Sequence, residues 1–339
     1  MMSTELNTAQ RGYDHAAIHY ASDAELLAVV VPFLTAGLTA GEPTVVSLAP
    51  ERAELVRRAL PPSASTRFLS TDDLYARPAA AIKSYRELMA GFVADGASGI
   101  RIVGEVPPEA IDTSWDWWAR YESAVNHAYD EFPLRSMCAY DTRTTPRHVL
   151  DDVARTHPFL ATPDGGHLTN AGYVDPPSFL AEPRPMKLYP IQHTVPLAEL
   201  IDPQPSAARR AVADFDKTGL PAAEIDDLVL AVSEIVDNAL RYGRSPVRMR
   251  IWADCEHMVV TVHDTGAGPG DPFAGLLPAG RDIGGRGLWI AHQVCSQVAL
   301  HRDDTGFTVR LTAGRPGLAT GRADTSSPVE RVSQVHTGE

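Results

Sequence analysis

Two different rhythms of apolar and polar residues divide this chain. From residue 13 to about 160, segments with apolar residues every three or four positions alternate with short, nearly continuous apolar runs. The spacing predicts helices over 23–39, 51–60, 82–94 and 115–129, and strands over 44–48, 67–70, 99–105 and 136–140. Such alternation predicts an α/β layer around a largely parallel sheet. The pattern fails between 161 and 190, where Pro163, Pro176, Pro177, Pro183, Pro185 and Pro190 crowd together with Gly165 and Gly166. Residues 161–189 therefore read as a Pro/Gly-rich linker, partly extended. A second rhythm follows. It predicts an opening strand over 191–195, helices over 206–217 and 222–242, strands over 247–253 and 257–263, a helix over 287–295, and a closing strand pair at 298–302 and 307–312. Helices first and strands later predict an α+β two-layer sandwich over 190–314. The polar stretch 315–339, rich in Gly, Ser and Thr, reads as a disordered tail.

Composition narrows the functional classes. A chain of 339 residues fits two domains, and 44% hydrophobic residues suffice for a core in each. The net charge of −13 argues against a general nucleic-acid binder or an anionic-membrane binder. Cys138, Cys255 and Cys295 are far apart and odd in number, which excludes a disulfide framework and a cysteine-rich zinc site. A reducing compartment fits best. The first ten residues lack an apolar signal core. The apolar stretch 26–38 is broken by Pro32 and Gly37 and is too short to cross a bilayer. The expectation is a cytoplasmic protein with no membrane segment.

Three segments of the second half carry candidate chemistry. On the helix predicted over 222–242, Glu234, Asp237, Asn238 and Arg241 share a face. The Asn238 amide oxygen is a hard ligand suited to Mg²⁺. Glu234, one turn earlier, has the chemistry to orient or deprotonate an attacking hydroxyl. Alone, this face reads equally as a solvated helix surface. Asp264 ends a strand and precedes Gly266 and Gly268. Its carboxylate can accept from an adenine amine while the glycines admit a ring or phosphate; the plainer alternative is an Asp-Thr-Gly turn. Gly284, Gly285 and Gly287 precede an apolar helix, an arrangement that binds anions through backbone N–H groups, with Arg286 placed for a charge-assisted phosphate contact. A P-loop motif is absent: the lysines are Lys83, Lys187 and Lys217, and none follows a glycine. Protein-kinase HRD and DFG elements are absent as well.

Taken together, E-I-V-D-N-A-L-R-Y-G, V-H-D-T-G-A-G-P and G-G-R-G-L-W-I-A resemble the N, G1 and G2 boxes of the GHKL superfamily, the ATPases with the Bergerat fold. In detail they look like the anti-sigma-factor serine kinases. The resemblance spans 190–314. It implies that Asn238 holds Mg²⁺, Glu234 is the general base, Asp264 reads adenine, and Gly266, Gly268, Gly285 and Gly287 shape the lid and pocket. Arg241 departs from the pattern, since relatives often carry histidine there. ATP and Mg²⁺ are the implied cofactors. A sigma factor and an anti-anti-sigma factor are the implied protein partners, the latter phosphorylated on serine or threonine. Two alternatives stand beside this kinase: a non-catalytic ATP-dependent partner switch, and a histidine-kinase-like protein. The second lacks a phosphoacceptor helix, since prolines occupy that position and His193 falls in a predicted strand.

The first half offers Asp14-His15, G-I-R-I-V-G-E at 99–105, Trp115, Trp117 and Trp118, C-A-Y-D-T-R at 138–143, and R-T-H-P at 155–158. This ensemble resembles the MEDS sensory domain, named for methanogen and methylotroph sensors and related to RecA-like α/β folds. The resemblance covers 12–160 and implies an unidentified small-molecule ligand. His15 and Cys138 are candidate ligand contacts; each also reads as a buried core residue. Trp115 and Trp118 share a helix face and read as core. Glu105, at a strand end, borders a pocket or caps a turn. Homodimerisation is left open.

Overall fold

A computed structural model describes residues 12–62, 64–70, 77–278 and 286–314. The tail expected over 315–339 lies outside the described residues.

The first half builds β1 (Asp14–Tyr20), α1 (Asp23–Ala40), β2 (Thr44–Ser47), α2 (Pro50–Ala59), β3 (Thr66–Phe68), α3 (Pro78–Ala94), β4 (Ile100–Gly104), α4 (Pro108–Ala128), β5 (Leu134–Asp141) and α5 (Arg147–Thr156). Two short strands, β6 (Phe159–Ala161) and β7 (His167–Thr169), and the helix α6 (Pro176–Ala181) follow. The sheet order is β3-β2-β4-β5-β1-β6-β7. Every neighbouring pair is parallel except β6–β7. Successive residues of the central strands enter opposite cores: Ala17, Val45 and Ile102 on one face, Ile18, Val46 and Val103 on the other. This two-sided burial is what a parallel sheet sandwiched by helices requires.

Among the described residues, α1 has the length and apolarity of a membrane span. Here it is a core helix: Leu26, Val30, Phe33 and Leu34 are buried against the sheet. Ser22 caps its start by accepting from Glu25 N–H, and Gly41 ends it at a φ of 71°.

The stretch expected as a partly extended linker is largely built into the structure. β6 pairs with β1 and continues the sheet. Phe179 and Leu180 of α6 are buried in the same core as α4. Arg184 bridges Asp116 and Asp152 at 2.8–3.2 Å and stacks on Phe179. The chain then crosses the second sheet. Tyr189 lies under the Arg310 guanidinium, 3.9 Å from the ring centroid, and the Trp252 indole donates to the Thr194 carbonyl at 3.1 Å. The opening strand expected over 191–195 is instead a single 3₁₀ turn, Pro190–His193. Pro190 presets its first residue, and Pro196, which has no N–H for a ladder, delays the strand.

That strand is β8 (Ala198–Ile201), followed by α7 (Pro205–Asp214), α8 (Ala222–Tyr242), β9 (Arg248–Ala253), β10 (His257–Asp264), α9 (Arg286–Val294), β11 (Gln297–Asp303) and β12 (Gly306–Gly314). The antiparallel order β11-β12-β10-β9-β8 presents Met249, Ile251, Val260, Val262 and Leu311 to Leu228, Val232 and Val236 of α8. This is the expected two-layer α+β sandwich.

The two halves are docked through buried side chains. The Trp117 indole donates to His292 Nδ1 at 3.2 Å; burial pushes the His292 pKa down to about 3, so the ring is a neutral acceptor. Arg77 donates to the Gln293 carbonyl, and the His127 and Phe273 rings sit 4.7 Å apart. Leu276, although it belongs to the second half, is buried in the first half's core. Trp117 is off the helix face shared by Trp115 and Trp118, yet all three are buried, because a second domain covers it. Trp117→Ala is expected to cost about 3–5 kcal/mol. The check is the urea midpoint of the full chain; an unchanged midpoint would mean that this contact holds nothing.

Candidate functional site

A cavity of about 400 Å³ opens between α8, the ends of β10 and β12, and the segment 268–277. Asn238, Asp264 and Gly268 line it. Asp264 is buried and fixed: its Oδ1 accepts from Gly266 N–H at 2.7 Å and from Arg244 N–H at 3.1 Å. Neither bond uses Oδ2. A methyl group on Gly243, at the end of α8, would lie 2.5 Å from the Asp264 carboxyl carbon, so the helix must stop on a residue without a side chain. Gly268 has a φ of +70° and its missing Cβ would lie 2.5 Å from the Phe307 ring, which also walls the cavity.

Glu234 and Asn238 sit one turn apart on α8, both half-buried. The start of α9 approaches them closely: a Cβ on Gly287 would lie 2.8 Å from the Asn238 amide nitrogen and 3.0 Å from a Glu234 carboxylate oxygen. Glu234, Gly266 and Gly287 do not line the cavity but touch residues that do, or touch each other at its edge. Asp237 and Arg241 turn away and pair with one another at 2.9 Å on the exposed surface. Arg286 is exposed and outside the cavity wall, and Gly285 lies outside the described residues. Sequence reasoning missed Tyr242, Phe307 and the lid 269–277 as walls. The run Gly268-Pro269-Gly270-Asp271-Pro272 was the available signal, since it marks an irregular segment directly after the strand that ends at Asp264.

In the first half, His15 on β1 and Cys138 on β5 meet because those strands are parallel neighbours. His15 Nε2 is 3.2 Å from Cys138 Sγ. Glu122 of α4 and His157, directly after α5, close on the same point. Burial pushes both imidazoles down to about 3, raises the Glu122 carboxyl and raises the Cys138 thiol. The histidines are therefore neutral. Glu122 and His157 were not singled out from sequence, although His157 lies inside the R-T-H-P segment and Glu122 is a lone acid among buried positions of α4.

Comparison with known families fits this division. Residues 14–158 match the MEDS family, the methanogen/methylotroph, DcmR sensory domain, and residues 201–313 match the histidine kinase-like ATPase domain. The chain is a MEDS domain followed by a histidine kinase-like ATPase domain. Among solved structures, the RsbU and RsbW domains of Rv1364c from Mycobacterium tuberculosis are 22% identical over 36% of this chain and 33% of that one, with a TM-score of 0.25. The chain thus spans about a third of that structure's length. The histidine kinase domain of the E. coli osmosensor EnvZ is 17% identical over 43% of this chain and 98% of that one, with a TM-score of 0.23. No curated protein matches the chain.

The MEDS domain has a second cavity, of about 230 Å³, at the carboxyl ends of β1, β4 and β5. Crevices at such strand ends are the usual ligand sites of parallel sheets. Glu105 borders it and is held by Arg52 at 2.7 Å and by the Ala49 N–H. The ATPase domain implies ATP use.

Proposed function

We propose that the protein is an anti-sigma-type regulator that binds Mg·ATP in the ATPase domain, phosphorylates serine or threonine on an anti-anti-sigma partner and sequesters a sigma factor, under control of the MEDS domain. The observation that carries this reading is Gly287, whose missing side chain lets α9 close on both Glu234 and Asn238 at the edge of a cavity walled by Asp264. Asp264 Oδ2 accepts from the adenine amine. Asn238 offers its amide oxygen to Mg²⁺, a hard donor for a hard cation that also takes phosphate oxygens and water. When bound, the ion neutralises charge on the phosphates. Glu234 takes the proton of the attacking hydroxyl. Arg286, the first residue of α9, is assigned to the phosphate end of this arrangement, and so is Gly285, which precedes it in sequence. The MEDS layer is read as RecA-like, with its parallel order and antiparallel edge strand in support. We place the protein in the cytoplasm.

Control reaches the nucleotide through the lid. Asp271, Ala274 and Leu277 line the cavity, while Phe273 and Leu276 of the same segment pack against the MEDS core. A change in the MEDS domain that moves α4 thereby moves one wall of the nucleotide cavity.

The test is transfer of label from γ-labelled ATP to candidate anti-anti-sigma proteins by the full chain. Acid-stable label on a serine or threonine of the partner is expected; acid-labile label on a histidine of this chain would replace the reading with a histidine kinase. Asp264→Asn is expected to weaken ATP binding at least about tenfold and to blur discrimination against GTP, because a pure acceptor becomes a mixed donor and acceptor. Competition of the two nucleotides in calorimetry checks it.

A further inference from the structure

Inside the MEDS domain, four donor atoms from four separate places in the chain converge with no polar group between them. His15 Nε2 lies 3.2 Å from Cys138 Sγ and 3.4 Å from Glu122 Oε2, and His157 Nε2 lies 3.4 Å from the same oxygen. All four atoms are within 4.8 Å of one another. Nitrogen and oxygen ligands about 2.1 Å from a tetrahedral metal are separated by about 3.4 Å, so the two edges at Glu122 Oε2 already have the required length, while the His15–Cys138 edge, about 3.6 Å for a sulfur about 2.3 Å from the metal, has to open by a few tenths of an ångström.

The surrounding hydrogen bonds decide which way the lone pairs point. The Asn126 amide nitrogen donates to the carbonyls of Glu122, Ser123 and Thr156 at 2.8–3.1 Å, which orients its Oδ1 toward His15 Nδ1 at 3.1 Å. An oxygen there accepts, so His15 carries its proton on Nδ1. His157 Nδ1 faces the Val153 carbonyl at 3.0 Å and must also be an N–H. Both rings therefore present bare Nε2 atoms to the centre. Tyr140 donates to Glu122 Oε1 at 2.9 Å, leaving Oε2 inward. Among the described residues, His157 Nε2 is fully buried with no hydrogen-bond partner, and buried Glu122 Oε2 has only the weak Cys138 thiol beside it as a donor. Acceptors facing acceptors in a dry interior are costly unless a proton or a cation sits between them.

We propose that His15, Glu122, Cys138 and His157 form a tetrahedral site for a divalent transition metal, zinc foremost. Two imidazoles, a sulfur and a single carboxylate oxygen are a borderline-soft set that suits zinc and not magnesium or calcium. Coordination converts the Cys138 thiol to thiolate and releases its proton to solvent. One thiolate, one carboxylate and a dication sum to zero charge, which is what a buried site needs. Asn126, the Val153 carbonyl and Tyr140 are the outer hydrogen-bond partners that fix ring tautomers and carboxylate orientation in metal centres. A cavity of about 30 Å³ touches three of the four donors, enough for about one water-sized molecule beside the ion. The same helix that supplies Glu122 supplies Trp117 and His127 to the contact with the ATPase domain.

The competing arrangement is metal-free, with a proton held on Glu122 and the Cys138 thiol donating to its neighbours. Cobalt separates the two. The purified full chain is stripped with a chelator, loaded with Co²⁺ and read by absorption. The expected result is a stoichiometric spectrum with the intense visible bands of tetrahedral cobalt and a sulfur-to-cobalt charge-transfer band, displaced by Zn²⁺. Cys138→Ser should lose the charge-transfer band. Glu122→Gln, which keeps the shape and the contact with Tyr140, should weaken cobalt binding at least about tenfold. ATP binding by each variant reports that the chain is folded. A chain that binds ATP but takes up no cobalt overturns the site, as does a charge-transfer band that survives in Cys138→Ser.

Discussion

Glutamine at position 234 should leave ATP binding intact and lower phosphotransfer by about two to four orders of magnitude. Glu234 is half-buried on α8 and does not line the cavity, so under the proposed function its loss removes nothing that touches the nucleotide. Its carboxylate lies beside Gly287 at the cavity edge; in the proposed function an incoming hydroxyl meets the terminal phosphate there. Glutamine keeps the length and the packing against Gly287 but cannot accept a proton. The effect should therefore appear in single-turnover transfer to the partner and not in calorimetric affinity. A variant that transfers at the wild-type rate removes Glu234 from the chemistry. A wild type that transfers to no partner, with a variant that regulates equally well, leaves the non-catalytic switch as the function.

What was legible in the sequence was local. A carboxylate at a strand end followed by two glycines, and an acid and an amide one helical turn apart, announce themselves within ten residues, as Asp264 and the Glu234–Asn238 pair do. The alternation of patterns in the first half likewise gave its layer type, because two-sided burial of strands such as Thr44–Ser47 leaves a continuous apolar run. What was hidden depends on contacts distant in sequence. β1 was not among the predicted strands, since D-H-A-A-I-H-Y mixes histidines and alanines and has one β-branched residue. Its pairing with β5, more than a hundred residues later, is what joins His15 to Cys138 and admits Glu122 and His157. Proline misled in the stretch 161–189. It fixes φ and removes donors, but says nothing of what an extended chain docks on. Here Phe179, Arg184 and Tyr189 find burial, carboxylates and a guanidinium to hold them. Trp117 and Leu276 were unreadable for the same reason: each is buried by the other domain.

Alanine at position 238 should abolish the Mg²⁺-dependent part of ATP binding. Asn238 lines the cavity on the polar side of α8 and is half-buried, so its truncation deletes no core volume and leaves the helix, whose buried stripe is Leu228, Val232, Ile235 and Val236, in place. Under the proposed function the loss is a metal ligand, and with it the ion's hold on the phosphates. An affinity drop of roughly two to three orders of magnitude, about 3–4 kcal/mol, is expected in the presence of Mg²⁺. The contrast with Asp264→Asn makes the result specific. In the proposed function Asp264 reads the base, so its variant should lose affinity with and without Mg²⁺, whereas Asn238→Ala should fall to the affinity that wild type shows when Mg²⁺ is chelated, and no further. Titrating ATP into both variants at saturating Mg²⁺ and again in excess chelator gives the four affinities needed. If Asn238→Ala keeps its response to Mg²⁺, the ion is held elsewhere, and the approach of α9 to Asn238 serves packing alone.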